Sequence, residues 1–252
     1  MKKSAFPGFL LASICILTLL QSCKDDRYLL DPPRVPNQSF VEEFDTSQKA
    51  YERGWRFINR SELIGRTNWQ NPTTLTGIPF LSYSGTGNGY LWADYQSTSG
   101  GAVTISNWAV SPEIIMQNGD KIVFYTRCEL IPFTAAITTD FVNRMQVRMN
   151  KTTSLNCGDG NDPGDFTIAL LDINPFYNEF ILQAFNNPAD PRHNEALQAY
   201  PHVWTRFEAT VSGLNEPTKG RFGFRYFTEG AGNAGRASSI GVDSVAYISK
   251  DK

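Results

Sequence analysis

Histidine and cysteine are scarce in this chain of 252 residues, with two and four copies respectively, and no charge of either sign is in excess. The formal charge of -2, from 23 basic and 25 acidic side chains, leaves nothing to neutralise a phosphate backbone, so a nucleic-acid partner is excluded. His193 and His202 have no nearby ligand-type neighbours in sequence, which gives no support to a histidine-based zinc centre or an imidazole-dependent triad. No Walker loop or dinucleotide fingerprint occurs. Gly85-Thr86-Gly87-Asn88-Gly89 lacks the lysine and the helix that a phosphate cradle needs, and reads as a loop. Long apolar runs are absent after the first two dozen residues. With 41% hydrophobic and 13% aromatic residues, the rest is neither disordered nor a multi-pass membrane protein.

The one long apolar run lies at the start. Met1-Lys2-Lys3 precedes an apolar stretch from Phe9 to Leu20, and Gln21-Ser22-Cys23 follows. A basic start, a short apolar core and small residues describe an export signal over 1–22 that is too short for a stable span. Leu19-Leu20-Gln21-Ser22-Cys23 resembles a bacterial lipoprotein lipobox, which implies lipidation at Cys23 and a membrane attachment through fatty-acyl chains. Lys24-Asp25-Asp26 resembles the export signal of surface lipoproteins in Bacteroidota-type bacteria, implying an outer-membrane protein exposed on the cell surface. Without the signal's two lysines, 230 residues keep 21 basic against 25 acidic groups, about -4. Residues 23–39 then form a lipidated, proline-rich tether through Asp31-Pro32-Pro33-Arg34-Val35-Pro36.

A single domain is expected over 40–250. Seven runs carry strand signals: Ala102 to Val110, Lys121 to Thr126, Met145 to Met149, Phe166 to Leu171, Trp204 to Val211, Arg221 to Phe227 and Ile240 to Ile248. Gly, Asn, Pro and Asp punctuate them, as in Gln117-Asn118-Gly119-Asp120. Only Pro191 to Tyr200 has a helical look. Crossover helices are missing, and no regular lipid-facing band marks a membrane barrel. The fold class is therefore all-β, a two-sheet antiparallel sandwich of jelly-roll type.

Asn107-Trp108-Ala109-Val110-Ser111-Pro112-Glu113-Ile114, followed by Asn118-Gly119-Asp120-Lys121-Ile122-Val123-Phe124, resembles the pattern of choice-of-anchor J domains, jelly-roll modules related to cleaved-adhesin and MAM-like domains. The resemblance extends to Phe40–Asp45, Gly54-Trp55, Trp204–Gly213 and Arg221–Val245, and weakens over 129–200, where an insertion or extra hairpin is expected. It implies extracellular adhesion, glycan-related binding or an accessory role beside surface enzymes, and no single activity.

Three site expectations follow. Trp69, Trp92, Tyr83, Tyr90 and Tyr95 sit in Gly/Ser/Asn/Thr-rich segments, where aromatic rings either anchor a loop or stack on sugars; Tyr226, Glu229, Asn233 and Arg236 are placed on the same rim. Glu42, Glu43 and Asp45 on the first strand and Asp243 on the last offer hard oxygen ligands for a structural Ca²⁺. Strand alternation pairs Asp243 with Val245 on one face, so a buried Asp243 needs either calcium or a backbone hydrogen-bond network. The loop Asn156 to Asp165 resembles an EF-hand only superficially, since Pro163 and a following strand spoil the match. Once Cys15 and Cys23 are assigned to the signal and the lipid, Cys128 and Cys157 remain, either as a disulfide closing a loop of about 29 residues or as two separate buried thiols.

The leading function is a non-catalytic surface binding or adhesion module for a glycan. The second is an envelope lipoprotein that binds a protein partner. The third, a glycan-active enzyme, would draw its acids from Glu42, Glu43, Asp94, Asp172 and Glu229, for which the sequence shows no pairing.

Overall fold

The computed structural model of the chain describes residues 35–132 and 138–250. The export segment, Cys23 and the tether up to residue 34 lie outside them. Among the described residues no helix is long and apolar enough to cross a membrane.

Fourteen strands follow in order: β1 (Phe40–Glu42), β2 (Arg56–Asn59), β3 (Leu91–Asp94), β4 (Val103–Val110), β5 (Ile114–Met116), β6 (Lys121–Cys128), β7 (Ile131–Pro132), β8 (Thr138–Thr139), β9 (Met145–Met149), β10 (Ile168–Ile173), β11 (Thr205–Thr210), β12 (Thr218–Gly220), β13 (Phe222–Ala231) and β14 (Ser239–Ile248). Ten of them build a two-sheet antiparallel β-sandwich, while β5 pairs with β12 and β7 with β8 in separate two-stranded sheets. One sheet runs β1-β14-β6-β11, with β3 also pairing β14, and the other runs β10-β9-β13-β4-β2. Each of the seven runs read from the sequence overlaps a strand, and His193–Gln198 is helical. Within 129–200, β9 and β10 pair in the second sheet, while β7 and β8 pair only with each other. Asn37–Lys252 forms a compact unit of its own.

The core follows from the two-residue period of the strands. Phe222, Phe224 and Tyr226 of β13 face inward against Phe124 of β6 and Ile240 and Val242 of β14, and Trp55 and Phe44 close one end. The expected pairing of Asp243 with Val245 on one face fails. The β14–β6 register moves from Asp243↔Tyr125 to Ala246↔Val123, so one extra residue bulges, and Ser244 takes a left-handed φ of 48° there. Val242, Val245 and Tyr247 all reach the core as a result, while Asp243 stays outside it.

Both outer faces carry a cover. On the second sheet, Trp108 and Val110 pack with Phe166 and Cys157, under the segment 151–167. Arg225 lies between Trp108 and Phe227, 5.1 and 4.0 Å from their ring centroids, and donates to Gly160 O and Asp162 O. Burial lowers this guanidinium to about 9. A resident cation therefore takes two carbonyl oxygens of the EF-hand-like loop.

Two sequence expectations are corrected here. Cys128 and Cys157 are free: Cys128 belongs to the main core and Cys157 to the cover of the second sheet, and burial pushes both thiols up. No structural calcium site forms, since among the described residues no group of three or more His, Cys, Asp or Glu is placed to hold a metal. The four acids are dispersed. Glu42 is buried and bound by Arg53, Glu43 accepts from Ser244 Oγ, and Asp45 lies against Gly85 and Gly89. Asp243 instead accepts backbone N–H groups from Tyr83 and Ser84 at 2.8 and 3.1 Å and from Ser244 at 2.7 Å, which is the network alternative.

The cover of the first sheet is the segment 70–90. Phe80, Tyr90 and Trp92 cluster there with Trp204, whose Nε1 donates to Leu81 O at 2.8 Å. The cluster rests on Gly241, where a Cβ would come 2.8 Å from Phe80 Cε2 and 2.9 Å from Trp204 Cη2. Only a strand residue without a side chain admits both rings. Gly241→Ala is accordingly expected to cost about 1–3 kcal/mol by overpacking, read as a lower midpoint in denaturant unfolding; an unchanged midpoint would contradict the seating of the segment on β14.

Candidate functional site

Outward-facing residues of β3, β14 and β6 line up in rows across the first sheet. Leu91 and Ala93 of β3 enter the core, which turns Trp92 and Asp94 out. Register places Gly241 between Trp92 and Arg127, and Ser239 beside Asp94. Glu129 N donates to Ser239 O at 3.0 Å, so Glu129 continues the row on the other side of Ser239. With strands about 4.8 Å apart, the Asp94 and Glu129 backbones stand roughly 10 Å from one another.

Trp92, Asp94, Ser239 and Glu129 of these rows line a groove of about 1010 Å³. One wall is Leu75 to Pro79 of the covering segment, and the opposite one includes Asn233 and Phe141. Arg66, Gln70, Tyr95 and Gln96 complete the lining. The Arg127 guanidinium is 4.4 Å from the Phe80 ring centroid, and Arg66 donates to Gln96 Oε1 at 2.7 Å.

The polar groups of the floor are partly unanswered. Trp92 is 4% exposed, yet its Nε1–H has no hydrogen-bond partner. Buried indole N–H groups ordinarily find an acceptor. Asp94 accepts from Thr67 Oγ1 at 2.5 Å and from Gln96 N at 3.1 Å, and Glu129 accepts from Ser239 Oγ at 2.9 Å. Burial pushes both carboxyls above their ordinary values, against the lowering effect of these hydrogen bonds. Acid–base catalysis needs two carboxyls driven apart by unlike surroundings, whereas these two are driven the same way. The other acids considered for catalysis are engaged elsewhere: Asp172 and Glu229 with Arg144, Glu42 with Arg53 and Glu43 with Ser244.

The aromatic residues singled out in the sequence divide. Trp92 and Tyr95 reach the groove. Trp69 is core, 2% exposed, with Nε1 donating to Asn107 O. Tyr90 is fully buried, its hydroxyl on Phe80 O at 2.8 Å. Neither can stack on a ligand. Tyr83 is 46% exposed and stacks on Tyr125 at 3.6 Å between centroids. Asn233 is the rim residue that lines the groove; Tyr226 is buried with its hydroxyl on Asn143, and Glu229 bonds Tyr177. Glu129, Ser239, Gln96 and Arg66 escaped the sequence reading. The alternation Leu91-Trp92-Ala93-Asp94 was the signal for the β3 edge, but Glu129 and Ser239 become neighbours only through the β6–β14 register.

Burial lifts Asp243, under the covering segment, to about 7, with the three backbone N–H bonds acting the other way. A carboxyl raised on folding contributes stability below its unfolded value of about 4 and loses it as pH rises towards 7. Asp243→Asn, which cannot titrate, should therefore gain on the wild type as pH rises across that window in urea unfolding. A wild type that gains on the variant would show that the N–H bonds outweigh burial. Ca²⁺ and EDTA should give the same thermal midpoint; a calcium-induced rise of several degrees would contradict the dispersed acids.

No protein-family model matches the chain, and no curated protein matches it by sequence. The choice-of-anchor J resemblance thus rests on the residues that carry it. Among solved structures, the K1 cleaved adhesin domain of Lys-gingipain from Porphyromonas gingivalis is similar with a TM-score of 0.49 and 19% identity, over 84% of this chain and 99% of that one. The K3 cleaved adhesin domain of the same protein gives 0.47 and 15%, over 85% and 99%. A structure described as a carbohydrate-binding module from the β-sandwich superfamily gives 0.42 and 11%, over 82% and 62%.

Proposed function

We propose that the chain is a non-catalytic binding module, held by lipid at Cys23 on the outer face of a bacterial outer membrane, whose groove over β3, β14 and β6 takes a hydroxyl-rich ligand of the glycan type. The observation that carries this reading is Trp92. Its indole borders the groove but is nearly buried under the covering segment, with a buried N–H that has no partner, next to carboxylates and amides that offer acceptors and donors at several angles. A sugar hydroxyl supplies the acceptor that Trp92 lacks and donates to Asp94 or Glu129 in turn. The volume, about 1010 Å³, suits a few linked rings. Tyr95 adds apolar surface beside the polar groups, which is how small-ligand sites combine affinity with orientation.

A protein partner is the second reading, favoured by the apolar side chains on the covering segment. Leu75 is 97% and Leu81 70% exposed, an arrangement typical of contact surfaces when side chains of this kind adjoin a groove.

A glycan array probed with Asn37–Lys252 tests the first reading. Selective binding is expected, and Trp92→Phe, which keeps an aromatic ring and removes the N–H, should weaken it about five- to thirtyfold, the worth of a hydrogen bond of about 1–2 kcal/mol. Binding that Trp92→Phe leaves intact would move the ligand out of this groove. A blank array from a folded domain would favour the protein partner.

A further inference from the structure

The two acids of the groove floor take part in no ion pair among the described residues. Asp94 and Glu129 flank Ser239 on adjacent strands and point the same way, yet their hydrogen-bond partners, Thr67, Gln96 N and Ser239, are all neutral. No lysine or arginine forms an ion pair with either among the described residues, where the ion pairs formed involve other acids. The two nearby guanidiniums, Arg127 on the face of Phe80 and Arg66 on Gln96, act on Glu129 and Asp94 through their field and not through contact. Buried carboxylates without a counter-charge are costly. Asp172, by contrast, takes a forked pairing from Arg144. The floor is therefore short of positive charge, and the unpartnered Trp92 N–H beside it is short of an acceptor.

A single chemical group pattern answers both shortages: a cationic amine next to a hydroxyl. We propose that the groove selects a sugar carrying a free amino group, its ammonium set between Asp94 and Glu129 and a neighbouring hydroxyl accepting from Trp92 Nε1, over neutral and acidic sugars of the same shape. This inference rests on the glycan reading and sharpens it. The ammonium has three donors for the two carboxylates, while the acidic counterpart brings a like charge to the same floor.

Glucosamine, glucose and glucuronic acid are matched probes, equal in ring size and different in charge. We would titrate each into ¹⁵N-labelled Asn37–Lys252 and follow the Trp92 indole N–H together with the amides of Glu129 and Ser239. Glucosamine is expected to shift these signals with about tenfold tighter binding than glucose, the worth of one charge-assisted bond over a neutral one, and glucuronic acid to leave them in place. Glu129→Gln, which keeps shape and hydrogen bonding, should bring glucosamine down to the level of glucose while leaving glucose unchanged. Equal binding of glucose and glucosamine would overturn the charge selectivity and leave the glycan reading standing. Failure of all three to move the Trp92 indole would overturn the selectivity too, and array binding insensitive to Trp92→Phe would separately remove the groove as the glycan site.

Discussion

Everything on the outer face of the first sheet depends on two residues of β14, Gly241 and Asp243. Gly241 leaves the sheet surface open enough for Phe80 and Trp204 to lie directly on it. Asp243, two residues on and pointing the same way, gathers the backbone N–H groups of Tyr83 and Ser84. One is an absence of side chain and the other a single carboxylate, and together they hold the segment 70–90 flat on a face that would otherwise be solvent. That segment provides a wall of the groove and covers the Trp92 ring. The bulge at Ser244 completes the arrangement, because it lets Asp243 face out while Val245 and Tyr247 return to the core.

The two outer faces solve the same problem with different outcomes. On the second sheet, Arg225 supplies a buried positive charge that two carbonyls and two aromatic rings accommodate, and the segment 151–167 closes over it. On the first sheet, the corresponding polar groups are acidic, and the cover stops short of them.

Much of the fold was legible in the sequence because the long strands β4, β6, β13 and β14 are rich in β-branched and aromatic residues. The shorter strands β1, β2, β3, β5 and β12 span only three or four residues, too few for a period of two to stand out. The site was less legible. Trp69 and Tyr90 stand among Asn, Gly and Thr, a composition that reads as free loop, yet this stretch lies on the sheet and its aromatic rings point down. Asp243 was recognised as needing compensation, but one bulged residue decided between metal and backbone, and no local sequence pattern announces a bulge. Cys128 and Cys157 were the one pair left for a bridge once Cys15 and Cys23 were assigned, but the second sheet separates the main core from the cover that holds Cys157.

Native-state hydrogen exchange on Asp243→Ala, compared with the wild type, tests the central claim most directly. If Asp243 and the face of β14 hold the cover, the Tyr83 and Ser84 amides and the rest of 70–90 lose protection in the variant, while β6 and β13 keep theirs. Unchanged protection at Tyr83 and Ser84 would contradict the account, because the groove would then owe its wall to something other than β14.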